Sequence, residues 1–448
     1  MKKIVLTFSL LIGFGAFAQD HFSGISTSNR VGILNGIINP AEFSNLSKKF
    51  EINLAGISFD VANNKIGFSD LVSDSNLEEL IFKGNEPVNM RFDGTILGPS
   101  FAMKWMKWGF GITTKANVKF DIIDVDPTIG NAISNNDLIL STTPLDNPNN
   151  QRLSGTSYGE VGLSAARSLL DNDKHSFSAG ITLKLLFPGS YSNLGLKNLN
   201  GTITENASGA YLTTNEPATL NIAYSGNLAD SFSNFDDYTK SIFGGLNGVA
   251  TDIGVTYQWK DGKGKYKIKG GLAIRNMGSM TFKDDNNYNT NYTLDIQPTV
   301  QNPQGLDLSL FSDVENLGDV EDILTANGYL TQTRNKTDFK VNLPTLFSLY
   351  ADFKIVPKVY VTGYLQQRMK KDDANGQITA RNIFSVTPRV NLGFFEAYLP
   401  VSTDDISGTN VGVGFRLAGF YLGSSSIFTS LADGKQADIY TGYRYAFL

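Results

Sequence analysis

Lysines and arginines recur on one parity of the chain's alternating stretches, and their spacing is the first sign of chemistry. In FGITTKANVKFDI, Lys115 and Lys119 share a face with Gly111, Thr113, Asn117 and Asp121. Phe110, Ile112, Val118 and Phe120 share the opposite, apolar face. Lys184, Lys265, Lys267, Lys269, Arg275, Arg368, Arg416 and Arg444 take the polar parity in later stretches, mixed with Asp352 and Asp438. Cations fixed on the polar face of a strand must be paired or hydrated, because a buried unpaired charge is costly. They also attract carboxylate-bearing ligands. Two readings stay open: a polar interior filled by its own ion pairs, or a basic path for an anionic ligand. On the second, the ligand-facing set is Lys115, Lys119, Lys184, Lys267, Arg275, Arg416 and Arg444.

Other chemistry is sparse. The chain has 2 histidines and no cysteine, which removes thiolate nucleophiles, disulfides and thiolate metal sites. His175 sits beside the Asn172-Asp173-Lys174 turn and His21 near the start of the exported chain, so both are read as solvated. A hydrolase of the Ser–His type therefore has no base in a convincing place. No catalytic residue, metal ligand or cofactor is assigned, and the chain is read as a non-enzyme.

Period-2 alternation means β-strands whose two faces meet different surroundings. The terminal ADIYTGYRYAFL sets Ile439, Thr441, Tyr443, Tyr445 and Phe447 against Asp438, Tyr440, Gly442 and Arg444. Such stretches run about ten residues, the length of a tilted membrane strand. With 44 glycines, 11% aromatics and 18% charged residues, they predict an all-β, transmembrane antiparallel β-barrel of about 14 strands, range 12–16. Strands are read near 50–61, 97–105, 109–124, 155–169, 174–190, 250–260, 264–283, 345–355, 358–369, 379–390, 393–401, 408–417, 419–429 and 437–447. Short turns then alternate with long extracellular excursions near 62–96, 125–154, 191–249 and 284–344. Residues 70–82 read as an amphipathic helix capped by Ser75, and 320–324 as a short helix; either is placed to cover the barrel mouth. In the first strand, Phe50, Ile52 and Leu54 share one parity and Ile57, Phe59 and Val61 the other. That slip predicts a kink at Ala55-Gly56.

The N-terminus reads as a signal peptide: Lys2 and Lys3, an apolar run from Ile4 to Phe14, then Ala16-Phe17-Ala18, with cleavage after Ala18. Its removal takes two lysines and moves the formal net charge from −5 to −7, which argues against a nucleic-acid partner. Residues 19–49 include GILNGIINPAEF, too apolar for a solvated tail. They are expected inside the barrel, which begins at residue 50 and runs to 448.

Asn39-Pro40-Ala41 just before a first strand resembles the FadL-like fatty-acid and hydrocarbon transporters of the outer membrane. The order of NPA, Gly98-Pro99-Ser100-Phe101, Gly109 to Thr114 and Val386 to Arg389 resembles more closely an uncharacterised Bacteroidota family of outer-membrane barrels. The FadL-like resemblance implies a luminal plug carrying Asn39, Pro40 and Ala41, lateral ligand passage where a strand kinks, and passive transport of small hydrophobic or amphipathic molecules. The apolar C-terminus resembles the signal read by the outer-membrane barrel assembly machinery, with Leu448 after the usual terminal aromatic. The expected surroundings are outer-membrane lipid. An alternative role is that of a structural or accessory subunit with protein partners in a larger outer-membrane secretion or assembly complex.

Overall fold

The computed structural model describes residues 21–71, 77–134, 140–229, 243–261, 266–312, 314, 316–332 and 337–448. The expected signal peptide lies outside the described residues, as do Ser75 and Lys265. Fourteen antiparallel strands form a closed ring. They are β1 (Phe50–Asn63), β2 (Val88–Leu97 continued by Ser100–Trp105), β3 (Trp108–Val125), β4 (Ser141–Asp171), β5 (His175–Asn206), β6 (Gly248–Lys260) and β7 (Tyr266–Phe282). They continue as β8 (Phe339–Asn342 and Leu346–Val356), β9 (Val359–Arg368), β10 (Ile383–Asn391), β11 (Phe395–Tyr398 and Val401–Asp404), β12 (Gly408–Val411 and Val413–Leu417), β13 (Phe420–Ser424) and β14 (Gln436–Phe447). The ring closes where Phe50 to Ala62 pair with Phe447 to Gln436, so no edge strand is left to satisfy in lipid.

Parity sorts the side chains as a membrane barrel requires. Ile112, Leu163, Ile181, Ile253, Leu349 and Phe415 are exposed on the outside, while their neighbours Thr113, Ser164, Thr182, Asp252, Ser348 and Arg416 are buried inside. Val118 keeps the outward parity but is covered by Leu228, with Phe92 and Phe120 beside it. It does not face lipid.

Several boundaries differ from the sequence reading. β2 starts at Val88, inside what reads as a loop, because its charges Arg91 and Asp93 face inward and are neutralised by Asp121 (3.2 Å) and Lys119. β13 stops at Ser424: the hydroxyls of Ser424, Ser425 and Ser426 donate to Asp438, and Ile427–Ser430 turns as a short helix. β13 therefore pairs with β14 only over Phe420 to Gly423.

The largest difference lies beyond the belt. β4 and β5 run for 31 and 32 residues, far longer than a spanning strand. Their ends pair with each other, and β5 also pairs with strands Gly209–Glu216 and Ala218–Ser225, the latter with Tyr288–Leu294. The helix Leu317–Ala326, capped by Asn316 accepting from Asp319 N at 2.9 Å, contributes Leu317, Val320 and Leu324 to their shared core. The excursions thus build a cap around Leu199, Leu220, Ile222 and Tyr292 instead of loose loops. Of the helix read at 70–82, the described residues are helical at Phe68–Leu71 and Leu77–Ile81, and 72–76 lie outside the described residues.

Candidate functional site

Two pieces of chain occupy the inside of the ring. At the turn end lie residues 21–49, with a helix Ile33–Ile38 and a 3-10 helix Pro40–Asn45. Asn39 starts the second: its Oδ1 accepts from Ala41 N at 3.0 Å, and its Nδ2 donates to the carbonyls of Val255 (3.0 Å) and Leu272 (3.3 Å) on the wall. Asn-Pro at this spot both caps the turn and supplies its fixed φ. The close approach needs wall positions without side chains: a Cβ at Gly254 would meet Asn39 Oδ1, and one at Gly180 would meet the Pro40 carbonyl.

Buried charge anchors this segment. Glu42 accepts from Lys269 at 2.6 Å and from the Tyr350 hydroxyl. Glu51 accepts from Ile33 N at 2.8 Å and faces Arg444 at 3.4 Å. Glu396 accepts from Ser28 at 2.9 Å and from Arg416 at 3.2 Å, and Arg389 donates to the Thr27 carbonyl at 2.8 Å. Apolar contacts complete the fit: Ile33, Phe43 and Leu46 pack against Ala102 and Ala166, and Phe22, Ile25 and Leu34 against Leu97 and Tyr440.

At the loop end, residues 369–382 between β9 and β10 cross the mouth to the far wall. Asp372 accepts from Arg91 (2.9 Å) and Arg368 (2.6 Å). Thr379 accepts from Arg91 at 2.7 Å and donates to Asp121 at 2.7 Å. Arg152, fully buried on β4, donates to the carbonyls of Asp372 and Gln377 at 3.2 and 3.0 Å. Ile378 packs with Tyr158, Leu186, Met280 and Phe339. Burial pushes the Asp372 carboxyl above the usual carboxylate range, against the opposing pull of Arg91 and Arg368.

Between these two pieces remains a luminal cavity of about 110 Å³. Leu34, Ile37 and Ile38 of the N-terminal segment supply its apolar floor, and Lys115, Lys119, Lys184 and Arg275 its basic wall. Four of the seven cations singled out in the sequence thus converge. Lys115 pairs with Glu160 (2.9 Å), Lys119 with Asp93, and Lys184 with Asp252 (2.8 Å). Arg275 differs: its described partners are the neutral Ser348 (3.1 Å), Tyr364 (3.2 Å) and Gln366.

The other three lie elsewhere. Arg444 holds the N-terminal segment through Glu51 and the Arg30 carbonyl. Arg416 ties the turns at its end of the barrel through the carbonyls of Gly393 and Ala418. Lys267 is outside the lumen: a register shift between Tyr266 and Ile268 turns it out, 5.6 Å over the Trp259 ring. Strict alternation carried through that bulge put it on the wrong face.

Neither histidine is simply solvated. His21 lies in the lumen, with Nδ1 3.0 Å from Ser58 Oγ and Nε2 3.1 Å from Asp93 and 3.2 Å from Thr95. His175 meets the Tyr257 hydroxyl at 2.8 Å on the outer rim. Glu160, Arg91 and Arg152 were missed by sequence reading: Glu160 and Arg91 stand in register with the inward-read Lys115 and Asp121, but Arg91 and Arg152 lie in stretches read as loops. The strand irregularity comes one residue before Ala55-Gly56: the register shift between Asn53 and Ala55 leaves Leu54 bulged and 56% exposed. Opposite it β2 breaks at Gly98-Pro99, and Asn53 Nδ2 bridges to the Gly98 carbonyl at 3.1 Å. Gly56 itself lies inside the regular pairing. A second, apolar cavity of about 470 Å³ opens on the outer face where β13 is short, lined by Phe59, Phe68, Val413, Phe415, Leu422 and Ile439.

Ring, inner segment and cavity can now be set beside known proteins. Residues 40–425 match the model of a family of unknown function, DUF5723. The chain belongs to that family. No curated protein matches. Among solved structures, a mutant of the TodX monoaromatic hydrocarbon channel is similar at a TM-score of 0.49 and 12% identity, over 97% of this chain and 99% of that one. The toluene transporter TbuX of Ralstonia pickettii gives 0.43 and 12%, over 97% and 99%. A FadL homologue of Pseudomonas aeruginosa gives 0.42 and 9%, over 97% and 100%. At these scores the likeness says nothing of what this DUF5723 chain carries.

Proposed function

We propose that this DUF5723 barrel is a passive, non-catalytic path for small amphipathic molecules across the outer membrane. In the arrangement described it is closed by residues 21–49 at one end and by 369–382 at the other. One observation carries the reading: a cavity enclosed between the two closures, with an apolar floor and Arg275 on its wall among neutral partners. A carboxylate beside Arg275 would gain the charge partner that Lys115, Lys119 and Lys184 already have. A volume of about 110 Å³ holds a few waters, being smaller than the roughly 150 Å³ of an engineered cavity that takes benzene. Larger cargo needs a closure to move. Export after cleavage at Ala18 and insertion by the barrel assembly machinery belong to the same proposal.

The test is flux of a labelled aromatic carboxylate, benzoate, into proteoliposomes holding the mature protein or its Asp372→Ala variant. Faster entry than into empty vesicles, raised further by the variant and lowered by Arg275→Gln, is the expected result. Entry no faster than into empty vesicles for both proteins overturns it. Recovery of the native protein in a stoichiometric complex would then favour the accessory-subunit reading.

A further inference from the structure

All 3 tryptophans of the chain lie at the turn end: Trp105 and Trp108 flank one turn, and Trp259 ends β6. Cations stand over the aromatic rings of this rim. The Arg167 guanidinium is 5.1 Å from the Trp108 ring, Lys267 Nζ 5.6 Å from Trp259, and Lys49 Nζ 5.4 Å from Phe50. The Lys267 contact exists only because the bulge at the start of β7 turns that lysine out of the lumen. All three cations are exposed, and none has a carboxylate partner among the described residues. Nearby Lys260 and Lys354 do, in Asp171 and Asp261.

The pattern is one-sided. It runs along the arc from β1 to β7, whereas the rim from β9 to β13 presents Leu392, Phe394 and Phe420, exposed and apolar, and its cations Lys358 and Arg30 stand over no ring among the described residues. Aromatic rings of this kind settle at the headgroup level of a bilayer. A cation held beside such a ring lies where a lipid phosphate lies, and each basic residue near an anionic surface contributes about 1 kcal/mol, roughly fivefold in partition.

We propose that the β1–β7 arc of the turn-end rim is a binding surface for anionic phospholipid, with Lys49, Arg167 and Lys267 on the phosphates and Phe50, Trp108 and Trp259 against the glycerol and upper acyl segments. The occupant is membrane lipid with a net negative headgroup, of the leaflet in which the short turns lie. The barrel is thereby held at a defined depth on one side of its circumference. This surface is independent of the lumen and of the transport reading.

Because all the tryptophans sit at this rim, they report on it directly. The mature protein is reconstituted in phosphatidylcholine carrying a fixed fraction of brominated lipid, either phosphatidylglycerol or phosphatidylcholine, and tryptophan quenching is compared. The expected result is several-fold stronger apparent binding of the brominated phosphatidylglycerol at low salt, reduced at high salt. The variant Lys49→Gln/Arg167→Gln/Lys267→Gln should lose the preference while keeping quenching by brominated phosphatidylcholine and heat-modifiable gel mobility. Equal quenching by the two lipids in the parent protein overturns the proposal. So does a preference that survives the triple substitution. If the triple variant fails to insert, the single Lys267→Gln, on the bulge and away from the ring closure, must lower the preference by a measurable fraction.

Discussion

The insert that fills the turn end and the cap that stands above the loop end are held by different physics. The turn end is filled by residues 21–49, fastened by Glu42 on Lys269 and by hydrogen bonds from Ile33 N and Ser28 to the wall carboxylates Glu51 and Glu396, which are themselves paired with Arg444 and Arg416. Above the loop end stands a cap whose core is apolar, built on Leu199, Leu220, Ile222, Tyr292 and Leu324. A charge-fastened insert needs the wall to exist first, since its partners are distributed over β1, β7, β8, β11, β12 and β14. A cap with its own core, made largely from strands adjacent in sequence, can hold together through local contacts. The difference teaches that the insert can be released without unfolding and the cap cannot.

The sharpest way to break this contrast is Glu42→Ala. Removing one partner of a buried pair leaves Lys269 uncompensated, at about 3–5 kcal/mol. The expected outcome is release of the N-terminal segment from an intact barrel: proteolysis at Arg30, a rise in ion conductance and unchanged heat-modifiable mobility. Loss of the barrel itself would mean that segment and wall fold as one unit.

Leu220→Ala is the matching probe of the cap. A buried Leu→Ala change costs about 2–5 kcal/mol, depending on how far the site collapses. Hydrogen exchange should rise in the cap strands Gly209–Glu216, Ala218–Ser225 and Tyr288–Leu294, with β9 to β14 unaffected. Exchange rising equally around the ring would show that the cap and barrel are one cooperative unit.

These experiments bear on what a sequence makes visible. The strand count and the facing of most wall residues were legible because lipid outside and polar surroundings inside impose period 2. Lys115, Lys119, Lys184 and Arg275 came together because parity alone sends them inward. Lys267 did not, because one extra residue in β7 reverses parity without any apolar signal. The cap was illegible for a related reason. In SGTSYGEVGL and the strands that extend β4 and β5, alternation continues from membrane into solvent, and nothing in it marks where lipid ends. The lid over the mouth was hidden because Asp372, Asp373, Asn375 and Gly376 have the composition of a solvated turn. Only the distant Arg91 and Arg152 draw them inward.

The wall between the two closures gives a third, smaller test. Ile181 is 50% exposed on the outer face and its neighbour Thr182 is buried against Ser164 at 2.7 Å. An arginine at Ile181 should cost about 2–4 kcal/mol of insertion stability near the bilayer centre. At Asn117, luminal and beside the cavity, arginine should cost less, because the site already holds charge. Equal losses in a urea-refolding titration would mean that the belt is not lipid-facing at this level.

The smallest expected effect concerns the lid, where charge meets burial. Asp372 faces Arg91 on β2 and Arg368 on β9 as ion-pair partners, with Asp121 on β3 and Asp405 after β11 adding like charge. Burial outweighs the guanidiniums, so the carboxyl of the closed lid binds its proton more tightly than an open, hydrated aspartate would. A group whose value is raised in one state favours that state below its ordinary range and loses the contribution as pH rises through the raised value. Acidification from about pH 6 to about pH 4, across the carboxylate range, should therefore tighten closure and lower conductance modestly. Asp372→Asn should remove the part of that slope that the Asp372 carboxyl contributes, with Asp121 and Asp405 still beside Arg91 and Arg368. Conductance that instead rises on acidification of the parent protein, and not of the variant, would mean that the two arginines dominate and that the latch opens when it is protonated.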